Sequence, residues 1–304
     1  MKYGVIGAGA VGGYYGSRLA ESGQDVCFLL HKDYEYVKAN GLQVESCRGS
    51  FRIEKPEVYG RAEDMPPCDV VLVGLKTTNN HLLTALLPPL LKPDTLVVLI
   101  QNGIGVEDDV QKMMPGVQLA AGLAFICSQK TEPGLIRHQC YGMINLGNYS
   151  CRDQQKFAQV LADFRAAHIK AEEVPYLEAR WKKAVWNMPF NGMTVALNTQ
   201  TDRLLANEKT RALVWRQMME VVGAAQHLGV KNLDAGFAEQ MIALTLDMVP
   251  YSPSMKLDYD FRRPMEIDYL YTRPIAIAKA SGFEMPALEM LEAELRFIEN
   301  EHKS

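Results

Sequence analysis

The feature that most limits what this chain can fold into lies at its amino terminus. An apolar strand at Tyr3 to Ile6 runs into a glycine loop, a helix follows to about Ser22, and a second apolar strand covers Val26 to Leu30. Within the loop, Gly7, Gly9 and Gly12 give the spacing G-x-G-x-x-G. In a strand, loop, helix context each glycine has its own task. Gly7 permits a tight turn, Gly9 lets the backbone approach a pyrophosphate, and Gly12 lets the helix pack close to the strand. The exposed amides of the segment Gly7, Ala8, Gly9, Ala10, Val11 and Gly12 then face phosphate oxygens at the helix N-terminus. A glycine-rich turn needed only for packing would share the spacing, so it is the complete βαβ pattern that points to a dinucleotide.

The end of the second strand selects among dinucleotides. A site for NAD places Asp or Glu about 20 residues beyond the glycines, to accept from the ribose hydroxyls. This chain has His31 and Lys32 there, a cationic pairing that suits a 2'-phosphate, so NADPH (NADP+) is the expected cofactor. The alternative for Lys32 is a solvated surface lysine. Further along, Asp69 to Asn79 (DVVLVGLKTTN) and Thr95 to Gly105 (TLVVLIQNGIG) read as buried parallel strands ending in polar loops. Open α/β sheets take their ligands at such ends, which makes Lys76 and Asn102 candidates for the cleft. A surface lysine and a turn-forming asparagine are the alternatives. Strand signals recur at Leu119 to Ile126, Leu135 to His138 and Met143 to Leu146, followed by a helix at Asp153 to Ala167 and a strand at Lys170 to Val174.

From Tyr176 onward helical periodicity dominates, over Leu177 to Leu197, Lys209 to Leu228, Asp234 to Met248 and Met265 to Ser281. The expected fold is α/β: an N-terminal Rossmann-type dinucleotide-binding domain over 1–175 followed by an all-helical C-terminal domain over 176–304, with a cleft between them. The stretch RWKKAVWNMPFNG, Arg180 to Gly192, places Lys183, Asn187 and Asn191 four residues apart along one helical stripe. Their neighbours Trp181, Val185, Trp186, Met188 and Phe190 are core side chains. A purely structural account exists for one asparagine, because Pro189 frees the carbonyl of Val185 and a nearby amide could repair the gap. It leaves Lys183 unexplained. In a cleft, an ammonium stabilises the negative charge that builds on a ketone oxygen as hydride arrives, and it delivers the proton. Neutral carboxamides orient a substrate without competing for that proton.

Composition closes off other classes. The formal net charge is -4 and the basic residues are dispersed, so a nucleic-acid partner is not expected. Six cysteines lack any C-x-x-C pair and read as reduced thiols. The opening residues lack a signal-peptide apolar stretch and no run approaches membrane-spanning length, so the expectation is a cytoplasmic protein without a membrane partner. The six histidines show no metal-ligand spacing and no G-x-S-x-G elbow occurs, which removes metallohydrolase and serine hydrolase readings.

Taken in order, GAGAVGG, ANGL (Ala39 to Leu42), LKTTN, QNG, EPG (Glu132 to Gly134), W-x-K-x-x-x-N-x-x-x-N (Trp181 to Asn191) and PSMKLDYDFRRPMEIDY (Pro253 to Tyr269) resemble the ketopantoate reductases, over nearly the whole length. The resemblance implies NADPH-dependent reduction of 2-dehydropantoate to pantoate in pantothenate synthesis. It implies Lys183 as general acid, Asn187, Asn191 and Ser254 as substrate ligands, and Glu266 at the closed cofactor and substrate site. It also puts Lys76 and Asn102 beside the cofactor, with Asn102 at the substrate as well, and gives Asp258 a supporting role. Four positions depart from the family pattern: His31 replaces the usual arginine, Gly192 rather than proline follows the second asparagine, and Leu270 and Tyr271 replace Asn-Gly. The alternatives are a reductase of another small 2-oxo acid and a non-catalytic sensor of NADP(H). A homodimer is compatible with the sequence.

Overall fold

In the computed structural model, residues 1–248 and 250–303 are described. The chain divides into two compact units, one formed by Met1–Gln101 with Val106–Tyr176, the other by Asn102–Gly105 with Leu177–Ser304. The four residues Asn102–Gly105 thus group with the second unit, although the sequence reading carries them in the first.

The first unit begins with β1 (Lys2–Ile6), α1 (Ala10–Glu21), β2 (Asp25–Leu29) and α2 (Tyr34–Asn40). It continues through β3 (Leu42–Ser46), β4 (Phe51–Ile53), β5 (Glu57–Tyr59), β6 (Cys68–Val73), the single turn α3 (Leu83–Leu86) and β7 (Leu91–Leu99). After α4 (Val106–Met113) come β8 (Gln118–Glu132), β9 (Leu135–Asn148), α5 (Gln154–Ala166) and β10 (Ala171–Glu173). Among the described residues the strands form one sheet in the order β4-β3-β9-β8-β7-β6-β1-β2-β5, with β10 added alongside β9.

The run β8-β7-β6-β1-β2 is parallel throughout. Its central strands are covered on both faces, which is why Val70 to Val73 and Leu96 to Leu99 are continuously apolar and fully buried instead of alternating. β8 and β9 pair antiparallel over nearly their whole length and turn at Gly134, which has φ of +68°. The sequence reading breaks this span into separate short strands. The structure joins them into two long ones, with register shifts near Ile126, Ser128 and Glu132, because the backbone ladder persists where side chains such as Ser128, Gln129 and Lys130 carry no apolar alternation.

The second unit is helical: α6 (Tyr176–Ala196), α7 (Thr201–Ala206), α8 (Glu208–His227), α9 (Ala235–Leu246) and α10 (Ser254–Asp260). A π-helical turn at Asp268–Thr272 then leads into α11 (Arg273–Ser281), and α12 (Pro286–Lys303) ends the unit. Asn207 and Asp234 cap α8 and α9, accepting from the amides of Lys209 and Phe237 at 2.9 and 3.2 Å. Gly282 in the left-handed region, at φ of +94°, terminates α11. The sequence reading omits α12, whose signal is the buried stripe Leu288, Leu291 and Leu295 amid many charges. Among the described residues no helix is long and apolar enough to cross a membrane.

Candidate active site

In the first unit the glycine loop is built by contacts that admit no side chain. A Cβ on Gly7, at φ of +81°, would meet the amide nitrogen of Leu75 at 2.4 Å, and one on Gly12 would meet the Gly7 carbonyl oxygen at 2.5 Å and the Cα of Gly74 at 3.2 Å. A Cβ on Gly9 would meet nothing within 4 Å. Gly7 and Gly12 are therefore glycines because the loop packs on Gly74 and Leu75, whereas the space beside Gly9 stays open. Ala10 starts α1, and no acidic residue occupies its first turn to oppose an anion. Ala8 is buried and Val11 half-buried, so the loop presents mainly backbone. Open space beside Gly9 and amides at a helix start fit the pyrophosphate of a dinucleotide.

His31 and Lys32 are exposed just past β2. Lys76 is half-buried, in extended conformation, and precedes the 3-10 turn at Thr77–Leu82, two residues after the Gly74 that packs on Gly12. Two further charged groups gather at this end of the sheet. The long β8 carries Ser128, whose hydroxyl donates to the Ala10 carbonyl at 3.1 Å, and Lys130, whose ammonium donates to the Ala8 carbonyl at 3.4 Å. Lys130 is also ion-paired with Asp33, which accepts from the Gly134 amide at 3.2 Å. Neither Lys130 nor Asp33 figures in the sequence reading. Lys130 is remote in sequence from the glycines, and only the length of β8 brings it to them.

In the second unit Lys183 and Asn187 lie one turn apart on α6 and line one pocket with Arg180, Ala184 and Met188 of the same helix. The rest of its wall comes from Gly103, Ile104, Tyr269, Leu270 and Pro274. The Gly103 turn is fixed against the π-helical segment: at φ of +102° it lies so close to Tyr269 that a Cβ would meet the Tyr269 carbonyl at 2.5 Å, and the Ile104 amide donates to that carbonyl at 3.0 Å. Asn102, half-buried, precedes this turn. Burial pushes the Lys183 ammonium down to about 7, the neighbouring Arg180 charge adds to the fall, and the Glu266 carboxylate partly opposes it. Arg180 and Glu266 are both buried, at 2% and 7% exposure, so their fields act with little screening by water. The sequence reading gives Arg180 no role, although it lines this pocket and its charge acts on Lys183. Its signal is its position three residues before Lys183, on the same helical stripe.

Asn191 stands apart from Lys183 and Asn187 in what it does. It is 1% exposed, its Nδ2 donates to the Asn187 carbonyl at 2.9 Å, and its Oδ1 accepts from the Met255 amide at 3.0 Å and the Ser254 hydroxyl at 3.4 Å. Asn191 thus ties the start of α10, and with it Ser254, to α6. Asp258 on α10 is 1% exposed and accepts from Arg263 Nε at 3.0 Å. Pro189 does not interrupt α6. Next to it, the Tyr271 hydroxyl donates to the carbonyl of Met188, the residue before Pro189, at 2.5 Å and lies against the backbone of Gly192, where a Cβ would approach it to 2.6 Å. The departures at Gly192 and Tyr271 are therefore a single contact, a phenol inserted beside a helix carbonyl where only glycine leaves room. Among the described residues no group of three or more His, Cys, Asp or Glu could hold a metal ion.

A parallel sheet with a glycine loop at its carboxyl edge, followed by a helical unit holding a lysine of lowered pKa, defines the class of two-part dinucleotide-dependent oxidoreductases. Within that class the chain belongs to the ketopantoate reductase family. Residues 3–150 match the family described as ketopantoate reductase PanE/ApbA, and residues 176–299 match its C-terminal counterpart. A 2-dehydropantoate 2-reductase of Nostoc sp. is 42% identical over 309 residues, covering 100% of this chain and 97% of the relative. Among solved structures, the 2-dehydropantoate 2-reductase of Geobacter metallireducens superposes with a TM-score of 0.94 at 36% identity, over 98% of this chain and 99% of that one. That of Methylococcus capsulatus gives 0.91 at 31% identity, over 100% and 98%.

Proposed function

We propose that this chain reduces 2-dehydropantoate to pantoate with NADPH, in the cytoplasm, as a step of pantothenate synthesis. The observation that carries the reading is Lys183: a lysine with a pKa near 7, in a pocket it shares with a carboxamide, on a chain of this family. Bound NADPH supplies the hydride, on the amides of Gly7 to Gly12 with Lys76, Asn102, His31 and Lys32 as further cofactor contacts. Every other task falls to side chains of the protein. The Lys183 ammonium donates a hydrogen bond to the keto oxygen, stabilises its growing negative charge and transfers the proton to it. A pKa near 7 keeps a substantial protonated fraction at neutral pH and makes the ammonium a stronger acid than an ordinary lysine. Glu266 holds the charged form against the push of Arg180 and faces the same chemistry. Asn187 and Asn102 orient the substrate, while Asn191 acts mainly by fixing Ser254 for its contact with the substrate hydroxyl or carboxylate. A homodimer is compatible with this reading.

The substrate is tested by steady-state NADPH oxidation with 2-dehydropantoate beside pyruvate and 2-oxoisovalerate. Fast turnover with 2-dehydropantoate alone supports the reading. Preference for another oxo acid keeps the chemistry and changes the substrate, and NADPH binding without turnover on any of them would make the chain a sensor.

A further inference from the structure

In a fold of this type the loops after the first and second strands flank the adenosine ribose of the dinucleotide, and a carboxylate free to accept from the ribose hydroxyls selects NAD. The loop after β2 does contain a carboxylate, Asp33, two residues beyond His31. It is not free. Its side chain is 13% exposed, ion-paired with Lys130 and hydrogen-bonded by the Gly134 amide. The same Lys130 ammonium reaches the Ala8 carbonyl in the loop after β1, so one cation touches both loops.

We infer that Lys130 is a specificity-determining residue: by holding Asp33 in an ion pair between the two loops, it removes the acceptor that a ribose 2'-hydroxyl would use and cancels the charge that would repel a 2'-phosphate. The inference rests on the NADPH reading above and deepens it. With Asp33 neutralised, the exposed His31 and Lys32 leave the loop with positive character. Without Lys130, Asp33 becomes an uncompensated anion beside the ribose, which disfavours the 2'-phosphate and offers NADH a partner. The sequence alone points to Lys32 for this preference; the structure adds a residue on a distant strand that switches off the competing carboxylate.

The test is equilibrium binding of NADPH and of NADH to the apo-protein by titration calorimetry, for wild type, Lys130→Met, Lys130→Arg and the double variant Lys130→Met with Asp33→Asn. Wild type is expected to favour NADPH; equal or tighter binding of NADH by wild type would overturn the cofactor reading itself, whatever the variants do. Given that preference, Lys130→Met is expected to weaken NADPH by about tenfold or more while NADH stays within a few fold or tightens. Lys130→Arg should resemble wild type, and Asn at 33 should return most of the lost NADPH affinity, because it removes the anion. Equal losses for both dinucleotides in Lys130→Met, or no recovery in the double variant, would overturn the inference and leave Lys130 as a support for the loop. Circular dichroism of each variant separates these results from misfolding.

Discussion

Lys183 carries opposing demands. The fold places its ammonium where burial and Arg180 disfavour the charge, and Glu266 returns part of what is lost. A cationic group with its folded pKa below its unfolded value costs the folded state stability wherever both states are protonated, and stability rises with pH over the range in which the unfolded chain binds the extra proton. The penalty is therefore full below pH about 7 and shrinks as pH rises toward the ordinary lysine value near 10.5. Lys183→Met is accordingly expected to be more stable than wild type by on the order of a few kcal/mol at pH 6, with the gap closing by pH 10, as read by urea denaturation across pH. Activity should move in the opposite sense: reduction requires the ammonium, so kcat/KM should fall roughly tenfold per pH unit above the titration near 7, with the reverse oxidation favoured there. The two asparagines should separate by the same logic. Asn187→Ala is expected to lower kcat/KM with stability little changed, whereas Asn191→Ala, which strips from the start of α10 the acceptor of the Ser254 hydroxyl and the Met255 amide, should cost about 1–3 kcal/mol and raise KM through a displaced Ser254.

At the scale of elements, the glycine loop and α6 make distinct demands on side-chain size. Gly9→Ala is expected to fold normally, since its Cβ meets nothing, and to lose dinucleotide affinity; Gly12→Ala should destabilise the first unit, because its Cβ falls 2.5 Å from a carbonyl oxygen. Thermal melts beside NADPH titrations distinguish the two. Tyr271→Phe should cost about 1–3 kcal/mol by removing the donor to the Met188 carbonyl. The loop was legible in the sequence because a local rule, strand then G-x-G-x-x-G then helix, fixes it within a few residues. The stripe Lys183, Asn187, Asn191 was legible as a helix face for the same reason, but the different roles of its members were not. Whether an asparagine faces a ligand or caps another helix depends on α10, more than sixty residues away. Lys130 was illegible on the same grounds: nothing near it in sequence indicates that β8 runs on to the glycine loop.

For the whole molecule, the division into a parallel-sheet unit and a helical unit follows from a change of hydrophobic period near residue 176, which is a property of long segments and survives local errors. The return of Asn102–Gly105 to the second unit depends on the backbone contact between Ile104 and Tyr269, which no periodicity encodes. Each unit has its own hydrophobic cluster, one around Trp181, Val221 and Leu291, the other around Tyr3, Val70 and Val98. A ligand held by the native state alone shifts stability by mass action, so NADPH at a hundredfold its Kd should stabilise the fold by about 2.7 kcal/mol, with NADH giving less at equal concentration. Central to the account is proton delivery by Lys183 during reduction of a 2-oxo acid, and the measurement that tests it most directly compares kcat for 2-dehydropantoate reduction in wild type and Lys183→Ala, with NADPH affinity determined on both. A fall in kcat of about 10²–10⁴-fold with NADPH affinity within a few fold is the expected result. A variant that turns over within tenfold of wild type would contradict it.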